Sequence, residues 1–82
     1  MYTIELIYCA AWNYTERAIR AMAVILSEPE LERAVKTFTL IPSDGGRFEF
    51  SVDGKLLYSK LQTGRHAEEK ELNKILQTHL GG

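Results

Sequence analysis

The sequence contains a single cysteine, Cys9, and this scarcity excludes two common ways of stabilising a small protein. One thiol cannot form an intramolecular disulfide framework, and it cannot build a zinc site from several cysteines. A lone cysteine is typical of a reducing intracellular compartment. The first residues also lack the charged-then-apolar pattern of a secretory signal peptide, so we expect a cytoplasmic protein.

The sequence also lacks a basic excess and any long apolar run. It has 10 basic and 11 acidic residues and a formal net charge of −1, so it offers little to neutralise phosphates and we expect no nucleic-acid partner. The longest apolar run, Ala21 to Leu26, is far too short to cross a bilayer, so we expect no membrane partner. With 45% hydrophobic and 26% charged residues, the composition argues against disorder. We expect residues 1–82 to form one domain.

The hydrophobic pattern predicts a two-layer α/β sandwich with the order β-α-β-β-β-α and a four-stranded mixed sheet. Period-2 runs indicate strands, and apolar residues at helical spacing indicate helices. Asp53-Gly54 is the signal of a two-residue hairpin. The predicted elements are a strand at 4–9, helices at 14–26 and 29–33, strands at 35–41, 47–52 and 55–61, and a last helix at 67–80.

Strand direction predicts which parts of the chain meet. A strand, a helix and a second strand favour a parallel pair, and the hairpin would then run antiparallel to the first strand. This arrangement gathers the end of the first strand, with Cys9, and the loops Pro42–Gly46 and Gln62–His66 at one edge of the sheet. The Asp53-Gly54 turn falls at the opposite edge, where we expect no function.

Cys9 is predicted to lie at the turn between a strand and a helix. Asn13 and Glu16 have capping-box spacing, so the helix is expected to begin just after Trp12. Unpaired backbone N–H groups and the positive end of the helix dipole would both favour the reactive thiolate there. The alternative interpretation is a small buried residue that happens to fall at a loop.

Several short segments in order carry a resemblance to a known family. They are Tyr8-Cys9, Arg17-Ala18, 40–50 (LIPSDGGRFEF), 52–60 (VDGKLLYSK), Gly64-Arg65 and 69–72 (EKEL). In these segments the chain resembles the selenoprotein W-like family, the SelT/SelW/SelH or Rdx family of thioredoxin-fold proteins. The resemblance implies a thioredoxin-like sheet and a thiol redox role, often linked to glutathione.

The sequence departs from the family motif at one position. The motif is Cys-x-x-Cys or Cys-x-x-selenocysteine; Cys9 matches its first residue, and Trp12 stands at its second. A single thiol stalls at the mixed disulfide until another thiol releases it. Cys9 is therefore expected to act as a monothiol that accepts and releases glutathione, or as a peroxide-sensitive thiol. The rival hypothesis is a redox-inactive adaptor that binds a partner protein through the Trp12 edge.

Trp12 has three interpretations. It is a natural replacement that packs over the thiol and blocks solvent, a stacking surface for a ligand or partner, or a selenocysteine codon read as tryptophan. Under the first two interpretations Cys9 acts as a single thiol or has no redox role. The third interpretation would restore the two-residue chemistry of the family. An ordinary tryptophan codon in native DNA would remove the third.

The remaining candidate residues lie in the two loops expected beside Cys9. The backbone of Ser43, Gly45 and Gly46 forms a tight turn whose N–H groups are a candidate cradle for a carboxylate. Arg65 and His66 are candidate cations that would stabilise the thiolate and attract glutathione; the alternative is a solvated loop with incidental charge. The histidines and the cysteine do not form a credible metal site. We expect no bound cofactor, glutathione or a protein thiol or disulfide as partner, and a monomer or weak homodimer.

Overall fold

The structure, a computed structural model, describes residues 1–81 as a four-stranded sheet packed against helices. Gly82, the last residue of the predicted domain, lies outside the described residues. Among the helices of residues 1–81, none has the length and apolar character that a bilayer crossing requires. The elements are β1 (Tyr2–Cys9), α1 (Thr15–Leu26), α2 (Pro29–Ala34), β2 (Val35–Ser43), β3 (Phe48–Val52), β4 (Lys55–Ser59), α3 (Lys60–Thr63) and α4 (Glu71–Gly81).

The sheet has the strand order β2-β1-β3-β4. β1 runs parallel to β2 and antiparallel to β3, and β3 runs antiparallel to β4. These directions confirm the predicted mixed sheet. They place the end of β1 beside the end of β2, where Cys9 is the register partner of Ser43. The Asp53-Gly54 turn joins β3 to β4, with both residues at positive φ as a two-residue hairpin requires.

The core lies on one face of the sheet. Alternate residues of β1 and β3 pair across the strands, with Leu6 opposite Phe50 and Tyr8 opposite Phe48. Burying each large apolar side chain stabilises the fold by roughly 1.5–3 kcal/mol before ordering costs. The helices supply the other half of this cluster through Ala18, Ile25, Leu31, Leu72 and Leu76. The structure thus has the two layers that the hydrophobic pattern predicts.

Two predicted boundaries are wrong at the carboxyl half of the chain. β4 ends at Ser59 instead of Leu61, because the Ser59 hydroxyl accepts the Gln62 N–H at 3.4 Å and starts the short helix α3. The last helix begins at Glu71 instead of Ala67, directly after Lys70, whose φ of 68° is incompatible with a helix. The spacing of apolar residues predicts that these elements exist, but it contains no information about the turns at which they begin and end.

The predicted capping box is also wrong. α1 begins at Thr15, and its N-cap residue, Tyr14, has no side-chain cap. Asn13 instead has a φ of 64°, a left-handed conformation that asparagine tolerates better than most residues. This bend lets the Tyr14 N–H reach the Cys9 carbonyl at 3.0 Å. Asn13 therefore turns the chain from strand to helix instead of capping the helix.

Candidate functional site

Cys9 is the last residue of β1 and is completely buried, with 0% of its surface exposed. This burial contradicts the expectation of a thiol within reach of small molecules. Side chains alternate along a strand, and Tyr8 joins the apolar cluster on the helix side. Cys9 therefore points to the opposite face of the sheet. The predicted strand-to-helix position is correct, whereas the predicted access is not.

Backbone hydrogen bonds hold Cys9 between the ends of two strands. Its N–H donates to the Arg47 carbonyl at 2.8 Å, and the next N–H, of Ala10, donates to the Ser43 carbonyl at 3.0 Å. The Cys9 carbonyl accepts the Tyr14 N–H that begins the approach to α1. The segment Pro42–Gly46 therefore flanks the thiol, as the strand directions predict, although its first two residues belong to β2 and not to a loop.

Trp12 lies on an exposed turn and contacts this same loop. All of Ala10–Asn13 is exposed, and 61% of the Trp12 surface is in contact with solvent. Its indole ring lies against Gly46, which is buried. Both the packing and the stacking interpretations of Trp12 remain predictions, since one face of the ring is covered and much of the rest is accessible.

The Ser43–Gly46 segment is a tight turn with two left-handed glycines. Gly45 and Gly46 have φ values of 71° and 76°. The Ser43 hydroxyl accepts a hydrogen bond from Arg47 at 3.4 Å, and Trp12 covers Gly46. The proposed carboxylate cradle in this turn stays a prediction.

Arg65 is engaged by a carboxylate instead of standing free beside the thiol. Two of its guanidinium nitrogens donate to the two carboxylate oxygens of Glu71 at 2.8 and 2.7 Å. The hydrogen bonds and charge of this pair raise the pKa of Arg65 and lower the pKa of Glu71 to about 2. The Arg65 carbonyl also accepts the Tyr58 hydroxyl at 2.6 Å. Much of the positive charge predicted to assist Cys9 is therefore neutralised locally.

His66 lies in an aromatic corner on the helix side of the sheet. Its ring centroid is 4.6 Å from that of Tyr14 and 5.9 Å from that of Phe48, edge to face in both pairs. Burial lowers the pKa of His66, and the nearby charges of Arg17 and Lys60 lower it further. The role of an electrostatic helper needs a protonated ring, which this environment disfavours.

One feature of the site could not be recognised from the sequence. A cavity opens between α1 and the segment 66–73, lined in part by Arg17, Arg20 and His66. The two arginines stand three positions apart on α1, a spacing that brings them to one helix face, but this is equally typical of a solvated surface. Within residues 1–81, no three metal-binding side chains converge on a common point.

Comparison with known proteins gives a consistent result. Residues 3–78 match the model of the Rdx family. The crystal structure of a selenoprotein W-related protein from Vibrio cholerae is 26% identical, with a TM-score of 0.85 and 94% of each chain covered. A crystal structure from Bordetella parapertussis is 24% identical, with a TM-score of 0.87 and coverage of 95% of this chain and 96% of that one, which establishes a shared fold. No curated protein matches the sequence. The fold is thioredoxin-like.

Proposed function

The chain belongs to the Rdx family, and we propose that it is a thiol-redox protein in which Cys9 works as a monothiol in cell redox homeostasis. The observation that supports this proposal is the position of Cys9 at the end of β1, immediately before the exposed turn Ala10–Asn13. Its substrate is a glutathione-containing disulfide or a peroxide. The protein needs no bound cofactor, and a free thiol suits the cytoplasm.

The burial of Cys9 makes the proposed reaction dependent on a local opening. The turn is attached to the rest of the protein by hydrogen bonds at its ends, and the Trp12 ring contacts Gly46 and lies edge to face with Tyr14, 6.3 Å between centroids. Exposed turns with few buried contacts open at a much smaller free-energy cost than the whole fold. We propose that displacement of Trp12 and this turn exposes the sulfur to its substrate.

The chemistry balances with glutathione as the only co-substrate. The Cys9 thiolate attacks the glutathione sulfur of a mixed disulfide between glutathione and another thiol, forms the Cys9–glutathione disulfide and releases that other thiol as its thiolate. A glutathione thiolate then attacks the glutathione sulfur of this adduct, regenerates Cys9 and yields glutathione disulfide. With a peroxide, the thiolate takes one oxygen as the O–O bond breaks, giving a sulfenic acid and water or an alcohol.

The decisive experiment measures how Cys9 is reached. Iodoacetamide labelling of the wild type and of Trp12→Ala would be followed by intact mass, with Cys9→Ser as the blank. Glutathione disulfide would be tested in parallel. We expect one adduct per chain, and at least about tenfold faster labelling of Trp12→Ala, corresponding to about 1.4 kcal/mol less opening cost.

The free energy of unfolding provides the benchmark for this experiment. It gives the labelling rate expected if Cys9 reacts only in the globally unfolded chain. Wild-type labelling above that rate supports a local opening. Labelling at that rate in both proteins, without a glutathione adduct, would refute a redox role for Cys9.

A second candidate function rests on the contrast between Cys9 and Trp12. The thiol is fully buried, whereas 61% of Trp12 is exposed at the same edge, which favours a redox-inactive adaptor that binds a partner protein through Trp12. In pull-downs from source cells, an adaptor retains its partner in Cys9→Ser and loses it in Trp12→Ala. A monothiol that captures its partner as a mixed disulfide loses it in Cys9→Ser.

A further inference from the structure

A cavity of about 250 Å³ lies between α1 and the segment 66–73, on the helix side of the sheet. Ala21, Val24, Phe48 and Leu72 supply apolar lining. Cys9 points to the opposite face, so this cavity is separate from the thiol. At about 30 Å³ for each liquid water, it has room for roughly eight waters or a small organic molecule of similar size.

The charged groups around the cavity are not used by the fold. Arg17 and Arg20 lie on the α1 wall, and Glu68, Glu69 and Lys70 lie on the opposite wall. Within residues 1–81, the ion pairs shorter than 4.0 Å are Arg47–Glu49 and Arg65–Glu71, so no ion pair bridges the cavity. The α1 wall therefore presents two guanidinium groups without a carboxylate partner.

His66 adds an unsatisfied polar atom at the same cavity. Its Nδ1 is buried and has no hydrogen-bond partner, although a buried polar nitrogen without a partner costs about 1–3 kcal/mol. Arg17 and Lys60 both bring positive charge to this ring, as their effect on its pKa shows. An anion placed between Arg17 and His66 would offset the positive charge that Arg17 and Lys60 bring to this ring.

We propose that this cavity binds a small organic carboxylate, with its carboxylate between Arg17 and His66 and a short apolar tail over Val24 and Leu72. Arginine presents N–H groups in a planar fork that matches a carboxylate. The apolar lining favours a ligand with a hydrocarbon part. Glu68 and Glu69 on the other wall disfavour a doubly charged anion such as phosphate.

The test is an NMR titration of the full chain with sodium butyrate, with n-butanol and inorganic phosphate as comparison probes. Chloride keeps the ionic strength constant. The His66 ring signals, assigned with His66→Gln, report binding and protonation together. We expect saturable binding of butyrate and a rise in the pKa of His66, because a neighbouring anion stabilises the imidazolium. Butanol, which has a similar tail and no charge, is expected to leave this pKa unchanged.

Arg17→Gln tests the residue assignment, and Arg33→Gln, an exposed arginine outside the cavity, is the matched control. We expect Arg17→Gln to weaken butyrate binding about tenfold or more and Arg33→Gln to leave it unchanged. Phosphate binding as tight as butyrate, equal effects of the two variants, or an unsaturated response would each overturn the proposal. Since Cys9 is not involved, Cys9→Ser is expected to bind butyrate normally even if the proposed redox function fails.

Discussion

The indole ring of Trp12 lies so close to Gly46 that a Cβ added at this glycine would fall 2.7 Å from Cζ3 of the ring. This contact joins the turn after β1 to the loop after β2, the two segments on either side of Cys9. If displacement of Trp12 exposes the thiol, as proposed above, the accessibility of Cys9 should depend on this one glycine. Two neighbouring glycines allow this coupling to be measured.

Gly46→Ala is expected to destabilise the protein more than Gly45→Ala and to accelerate labelling of Cys9. Both glycines have left-handed φ values, so both variants incur about 1–2 kcal/mol of backbone strain. Only Gly46 has the Trp12 ring within 4 Å of an added Cβ, which adds about 1 kcal/mol of overpacking. Urea denaturation measures the free energy of unfolding of each variant, and the rate of iodoacetamide labelling measures how accessible Cys9 is. Equal labelling rates in the two variants would show that Trp12 does not control the thiol.

Trp12→Cys is expected to form an intramolecular disulfide with Cys9 when treated with diamide. The substitution supplies the second thiol of the family motif at the spacing that the turn Ala10–Asn13 provides. Two thiols are oxidised to one disulfide as diamide is reduced to its hydrazine, so thiol titration should fall from two per chain to none. Trp12→Ser, which keeps a small side chain but adds no thiol, serves as the control. Retention of both thiols would mean that position 12 does not face Cys9.

Glu71→Gln is expected to reduce the loss of stability in acid. The folded-state pKa of Glu71 is about 2, below its ordinary 4.5, because Arg65 hydrogen-bonds to the carboxylate. Its contribution is therefore present above pH 4.5 and is lost as the pH falls towards 2. Since the Arg65 side chain is 55% exposed, solvent screens the pair, and we expect it to add only a small amount to the free energy of unfolding. Chemical denaturation at several pH values between 2 and 7 measures the free energy of unfolding of the wild type and of Glu71→Gln. Glu30→Gln is the control for removing one negative charge.

Asn73→Ala is expected to destabilise the packing of α4 against α1 by about 1–3 kcal/mol. Asn73 is 3% exposed, and its side-chain amide donates to the Val24 carbonyl at 3.1 Å and to the Glu28 carboxylate at 2.7 Å. Gln77 donates to the same carboxylate at 3.4 Å from an exposed position, so Gln77→Ala is the matched control, with an expected effect below about 0.5 kcal/mol. Similar unfolding free energies for the two variants would contradict a structural role for the buried amide.

The sequence by itself determined the order of the strands and main helices, the mixed sheet and the family. In a strand, alternate residues lie on the same face, so the apolar residues Phe48, Phe50 and Val52 must share one face and that face must be the buried one. The alternation therefore specifies the inward face before any contact is known. The Asp53-Gly54 turn and the order of elements then restrict the strand directions. The position of Cys9 at the end of β1 followed from these two kinds of information.

Only the tertiary structure decided whether Cys9 is accessible and where the charges of Arg65, His66 and Arg17 act. The exposure of a thiol depends on what neighbouring loops place over it, and Trp12 meets Gly46 across a long separation in sequence. The pairing of Arg65 with Glu71 and the unpaired state of His66 Nδ1 likewise depend on loop geometry. Hydrophobic periodicity carries no information about such contacts, because they arise between side chains whose local patterns are independent of each other.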